Sequence, residues 1–134
     1  MNYWLCFTSK ENWKRILEEN IWGVESKYSH ILNEVKIDDK LLIYVYRESK
    51  IYGEFKCVSE PFNDSSSLFK GKKGYNYRIK LELIKLPKLP FDFKDTISNL
   101  SFIKNKTKWF GHLRGARCMR MISKHDYEHL ESFF

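Results

Sequence analysis

No run approaching the about 18 apolar residues of a membrane-spanning helix occurs anywhere in the chain, which excludes that class of protein. The first residues, Met1 to Thr8, have no basic stretch and no extended apolar run, so no signal peptide is expected there. Cysteine is scarce. Cys6, Cys57 and Cys118 are odd in number, far apart and without a C-x-x-C pair, which argues for reduced thiols in a cytoplasmic protein. Repeats, low-complexity tracts and linker-like composition breaks are missing, so residues 1–134 are expected to form a single domain. The most informative absence is local: no Asp or Glu lies between Asp95 and Asp126.

That acid-free stretch holds seven cations, Lys104, Lys106, Lys108, Arg114, Arg117, Arg120 and Lys124. The chain has 24 basic and 17 acidic residues, so without these seven the two signs balance and the net charge of +7 resides here. A solvated face ordinarily mixes both signs. A one-sign segment interrupted by Trp109, Gly111, His112 and Gly115 points instead to a polyanion, whose counterions would be released on binding. Aromatics are plentiful, with ten Phe, eight Tyr and four Trp.

Tyr3 to Phe7 reads as a buried strand. Thr8 and Glu11 fit a capping box that opens a helix to about Asn20, with Trp13, Ile16 and Leu17 on one face. Asn20 and Gly23 are stop signals, so Ile21 to Val24 is expected as a linker with Trp22 at a bend. Ser26 to Val35 suits a second short helix. Leu41 to Tyr46 reads as a strand covered on both faces, with Ile51 to Ser59 returning as its hairpin partner. Gly53 marks a bulge or a close approach. Pro61 to Tyr75 reads as a surface loop, and Tyr77 to Leu83 as an alternating strand ended by Pro87 and Pro90. Asp95 to Leu100 suggests a helical turn, and Ser123 with Asp126 caps a last helix carrying Tyr127, Leu130 and Phe134. Short strands with helices inserted early and late give an α+β fold, a small, partly closed β-barrel.

Catalytic constellations are thin. His125 and His129 lie one helical turn apart, as in zinc sites, but a third ligand would have to come from His30, His112 or a cysteine. No carboxylate pair stands out as acid and base, and the cysteines read as small core residues. Gly71-Lys72-Lys73-Gly74 has the form of a backbone clamp, but a strand follows it where the motif has a helix. No catalytic residue, cofactor or metal is assigned. Trp4 and Trp13 are explained as core by periodicity; Trp22 and Trp109 are not, and both are candidate platforms for stacking a base.

Asn2-Tyr3-Trp4-Leu5, Trp22-Gly23-Val24, Asp39-Lys40, Ile43-Tyr44-Val45, Val58-Ser59-Glu60-Pro61, Tyr77-Arg78-Ile79 and Phe102-Ile103-Lys104-Asn105-Lys106 with Trp109 resemble, in order and over essentially the whole chain, the EVE domain family, in particular its small single-domain prokaryotic members. The resemblance implies a PUA-like fold, a small β-pseudobarrel with flanking helices, and kinship with YTH domains, which read methylated adenine in RNA. It implies that Trp22, with Gly23, stands where those domains place a cage tryptophan. It also implies that Thr8, Ser9 and Lys10 face the base edge, that Tyr77 supplies a second ring, and that Arg117 lies near a phosphate. Glu25 and Asp38 depart from the pattern, replacing the proline after Trp-Gly-Val and the glycine before Asp39.

The expectation is a non-enzymatic module for nucleic acid, RNA or modified DNA, with no membrane contact. One modified base would be held by Thr8, Ser9, Lys10, Trp22, Gly23, Tyr77 and Trp109. Lys104, Lys106, Lys108, Arg114, Arg117 and Arg120 would grip the backbone. The alternatives are a PUA-like module that reads RNA structure without a modified base, and a metal-assisted hydrolase.

Overall fold

The computed structural model describes residues 1–69, 75–107, 109 and 118–134. The expected first strand is β1 (Tyr3–Thr8), five of whose six residues are buried. Helix α1 (Lys10–Glu19) follows. Its cap is Ser9, one residue later than the expected Thr8: the Ser9 hydroxyl accepts from the Asn12 amide at 3.1 Å. Thr8 is still in the strand, pairing with Val45, so its backbone is not free to cap. The helix stops at Asn20, which adopts φ 55°, a left-handed conformation that asparagine tolerates.

Residues 21–24 are not a linker. They form β2 (Ile21–Val24), antiparallel to β6 (Tyr77–Lys85), so Trp22 sits in a strand and Gly23 is not a helix stop. A 3-10 turn (Ser26–Tyr28) and a short α2 (Ser29–Leu32) replace the single expected helix. β3 (Lys40–Val45) and β4 (Lys50–Cys57) make the expected hairpin, with a register shift opposite Ile43 and Tyr44. Gly53 satisfies both of its expectations. It stands beside that bulge, and a Cβ there would lie 2.8 Å from Trp13 Cη2. Short β5 (Phe62–Asn63), within the expected loop, pairs with β6, and β7 (Phe91–Asp92) pairs with β4. The expected helical turn is two 3-10 turns, Phe93–Asp95 and Ile97–Asn99. β8 (Met119–Ile122) and α3 (Lys124–Glu131) complete the described elements, α3 being capped by Ser123, whose hydroxyl accepts from the Asp126 amide at 3.1 Å.

Among the described residues the strands form one curled sheet in the order β2-β6-β4-β3-β1-β8, with β1 and β3 parallel and the other neighbours antiparallel. Successive side chains of a strand point to opposite faces, and β3 divides accordingly. Leu41, Ile43 and Val45 join Trp4, Trp13, Trp22 and Phe55 in one cluster, covered by α1. Leu42 and Tyr44 join Leu5, Phe93, Ile103 and Tyr127 in a second cluster on the other face, covered by residues 93–103 and α3. Asp39 ties the start of the sheet together. It is 1% exposed, and its carboxylate accepts from the Asn2 and Lys36 amides and the Trp4 indole at 2.8, 2.9 and 3.1 Å. Asp38 adopts φ 78°, the backbone region a glycine favours, which accounts physically for the glycine expected there. No helix among the described residues is long and apolar enough to cross a membrane.

Candidate nucleic-acid interface

The parallel strands β1 and β3 end side by side, and the Tyr46 amide donates to the Thr8 carbonyl at 3.0 Å. At that end the chain opens into three adjoining spaces that share Tyr46 and Tyr75 as walls. The innermost is a cavity of about 20 Å³ bounded by Thr8, Asn12, Trp22, Gly23 and Phe69. That volume suits about one water molecule. Beside it is a hollow of about 200 Å³ lined by Phe7, Glu25, Tyr28, Tyr46, Tyr75 and Cys118. An open cleft of about 570 Å³ runs past the start of α1, along Ser9, Lys10, Arg47 and Glu48.

The expected site residues divide among these spaces. Thr8, Trp22 and Gly23 bound the inner cavity, and Ser9 and Lys10 line the open cleft. Trp22 is 2% exposed and forms part of the first cluster, and its indole N–H has no hydrogen-bond partner among the described residues. Gly23 lies under the segment in front of it: a Cβ there would meet Phe69 Cε2 and the Tyr75 carbonyl oxygen at 3.0 Å. Tyr77 is turned elsewhere, donating to Asn33 Oδ1 at 2.7 Å. Trp109 packs on Phe93 across the sheet, with ring centroids 5.6 Å apart, in the second cluster. Neither Tyr77 nor Trp109 lines these three spaces.

Of the expected backbone-gripping cations, Lys108, Arg114 and Arg117 lie outside the described residues, as does the Gly71-Lys72-Lys73-Gly74 stretch. Lys104 is exposed, next to Ile103 of the second cluster. Lys106 donates its ammonium to the Leu100 carbonyl at 2.7 Å. Arg120 is half-buried with its guanidinium 4.5 Å from the centre of the Phe102 ring, and burial lowers its pKa.

Tyr46, Tyr75, Phe7 and Tyr28, which line these spaces, and Arg78, which braces Tyr75, were not among the residues expected from the sequence. Arg78 is 1% exposed within a strand whose alternation marked it as outward. Its guanidinium donates to the Tyr75 carbonyl at 2.7 Å, the Ser66 hydroxyl at 2.8 Å and the Ser66 carbonyl at 2.5 Å, and it pairs with Asp64 at 3.5 Å. It also lies 5.5 Å from the Phe69 ring, which meets Tyr75 edge-on at 5.8 Å. One buried cation thus holds both rings of the wall in front of Trp22. Lone-residue signals for it existed in the sequence: an arginine inside the clearest apolar alternation, with an acid and serines in the loop before it.

The electrostatics of the cleft are local. Lys10 and Glu48 form an ion pair at 3.0 Å, and the Tyr52 hydroxyl donates to Glu48. The Tyr52 bond first, and Lys10 second, hold the Glu48 carboxyl below its usual range. Burial raises the Tyr75 hydroxyl, with Tyr46, Glu25 and Cys118 adding in the same direction. Burial also pushes the Cys6 and Cys57 thiols up, in keeping with their reading as core residues. One ring nitrogen of His129 lies 2.9 Å from the Thr96 carbonyl oxygen, while His125 is exposed beside Asp126. No group of three potential metal ligands occurs among the described residues.

A curled mixed sheet, helices at its end and an aromatic recess where the parallel strands stop define a PUA-like fold of the YTH and EVE type. The EVE domain family matches residues 2–133, and the chain belongs to that family. It is 43% identical to a UPF0310 protein of Pyrococcus abyssi, over 98% of this chain and 99% of that protein. Two solved structures show the same fold. The YTH domain of Zygosaccharomyces rouxii MRB1, in complex with N6-methyladenosine RNA, superposes with a TM-score of 0.69 at 16% identity, covering 98% of this chain and 84% of that one. Human THYN1, in complex with 5-methylcytosine-containing DNA, superposes with a TM-score of 0.69 at 13% identity, covering 98% and 96%.

Proposed function

We propose that this chain is a nucleic-acid-binding module that receives one modified base in the aromatic recess and follows the flanking backbone with cations. The observation that carries this reading is the convergence of Phe7, Tyr28, Tyr46 and Tyr75 on a hollow of about 200 Å³ at the ends of β1 and β3. A hollow of that size is below the range for drug-sized ligands and fits one flat heterocycle. Rings stacked on a base contribute about 1–3 kcal/mol each. Ser9 and Lys10 at the α1 start, together with Arg47, offer polar and cationic groups along the adjoining cleft. Fold-mates solved with methylated RNA and DNA support the same reading.

Tyr46 is 44% exposed, so its ring can be removed without opening the core. Tyr46→Ala is expected to keep the wild-type melting temperature within a few degrees and to weaken binding of a modified oligonucleotide roughly 5- to 150-fold, the span set by about 1–3 kcal/mol. Titration by fluorescence anisotropy measures it. Unchanged affinity for every modified oligonucleotide, in Tyr46→Ala and in Trp22→Phe alike, defeats the proposal.

One observation favours a second reading. The cavity at Trp22 has room for about one water and none for a base, which suits a module that reads RNA shape without inserting a base. Tighter binding to unmodified structured RNA than to modified single strands selects that reading.

A further inference from the structure

The hollow is chemically lopsided. Four of its six described lining residues, Phe7, Tyr28, Tyr46 and Tyr75, are aromatic, and the one charged side chain among the six is Glu25. The carboxylate of Glu25 is largely shielded, with 26% of its side chain exposed. It already attracts a cation from its own chain: the Lys27 ammonium lies 3.6 Å from Glu25 Oε2 and 5.1 Å from the centre of the Tyr28 ring. A ring face backed by a carboxylate is the arrangement that draws positive charge, through the ring quadrupole and direct attraction together. In the second wall, burial first, with Tyr46, Glu25 and Cys118 adding to it, opposes ionisation of the Tyr75 hydroxyl. In the neighbouring cleft, which Arg47 also lines, Lys10 is met by Glu48 at 3.0 Å.

We infer that the base received by this hollow is a cationic one, methylated on a ring nitrogen so that it carries positive charge at neutral pH. The inference rests on the base-binding reading above and narrows it. A neutral base leaves the partly shielded Glu25 carboxylate with Lys27 as its ion-pair partner among the described residues; a cationic base faces it and lays its charge against Tyr28, Tyr46 and Tyr75. A cationic peptide would share the charge but not the context, because a chain of net charge +7 repels it over a distance. A nucleic acid carrying one cationic base answers both features, with its backbone drawn to the basic residues and its base to the acid.

Two isomers separate charge from size. Short single-stranded RNAs of one sequence, carrying 1-methyladenosine, N6-methyladenosine or adenosine at one position, are titrated at pH 7 into the wild-type protein and into Glu25→Gln. The expected result is binding of the cationic 1-methyl isomer at least ten times tighter than of the neutral N6-methyl isomer. In Glu25→Gln, melting at the wild-type temperature, that ratio falls to about one. Lys27→Met, which removes the internal competitor, raises the ratio further. Equal or tighter binding of the N6-methyl isomer overturns the inference and leaves the base-binding reading standing, as does a ratio that Glu25→Gln does not change. If neither methylated RNA binds better than the adenosine RNA, both fail. Tighter binding of a trimethyllysine peptide than of any of the RNAs overturns the assignment to nucleic acid.

Discussion

At the scale of single residues, Glu54 is a proton-sensitive point among the described residues. It is 1% exposed in β4 and accepts a bond of 2.5 Å from the Tyr127 hydroxyl of α3. Burial first, and a side-chain hydrogen bond with Glu131 second, raise its carboxyl from 4.5 to about 7, against the smaller pull of Tyr127 and Lys40. A folded-state pKa above the unfolded one means that the fold holds an extra proton between about pH 4.5 and 7. This group's contribution to stability is therefore complete below about 4.5 and is lost as pH rises through 7. Glu54→Gln accepts from Tyr127 and donates to Glu131 without titrating. Its melting temperature relative to wild type is expected to be higher at pH 8 than at pH 5.5; parallel pH profiles for the two proteins contradict the assignment. Trp22 is a second residue whose substitution is read first as packing. Trp22→Ala is expected to lose about 3–5 kcal/mol in denaturant unfolding, the range for truncating a large buried ring. Loss of binding in that variant is informative only beside Trp22→Phe.

At the scale of elements, the segment in front of Trp22 depends on Arg78 more than on its own sequence. Arg78→Met keeps much of the volume and removes every donor, leaving the Ser66 and Tyr75 carbonyls without this partner. An expected loss of about 2–3 kcal/mol follows from bonds to a charged donor. Hydrogen exchange should quicken at the Asp64 and Ser66 amides and stay unchanged in β3; uniform quickening would mean that Arg78 holds the whole fold. The β-hairpin, β6 and the start of α3 were legible in the sequence, and the start of α1 to within one residue, because each is written in a local period or a cap. The aromatic recess was not. Tyr46 is the last residue of an apolar run and reads as more strand, and Tyr75 ends a polar loop. They meet only because β1 and β3 pair in parallel and Arg78 draws the loop in, and neither event leaves a local mark. Trp22 was misread for a related reason: helical spacing cannot explain it, and four residues of strand are too few to show a period.

At the scale of the whole molecule, the charge is less uniform than its sum. Lys104 is exposed, whereas the Lys106 ammonium closes the turn at Leu100 and the Arg120 guanidinium lies against Phe102. The described basic residues are thus of two kinds, and salt separates them. On single-stranded nucleic acid, Lys104→Ala is expected to reduce the slope of log K against log salt by about 0.7 if it meets one phosphate, without changing base preference. Lys106→Ala is expected to lower the melting temperature more than the slope. A changed base preference in Lys104→Ala would move the specificity site toward the basic segment.

The sheet order has a consequence for how the protein is made. β1 is sandwiched between β3 and β8, and Glu54 meets Tyr127 across 73 residues of chain. While a ribosome is still adding residues 119–130, the earliest strand has one open edge and the apolar face that α3 will cover is bare. Such an edge is a template for pairing with another nascent chain. The interval between synthesis of the first strand and arrival of β8 is therefore the time in which this protein is most exposed to misassembly, and slowing translation across that last stretch should lower the yield of native protein.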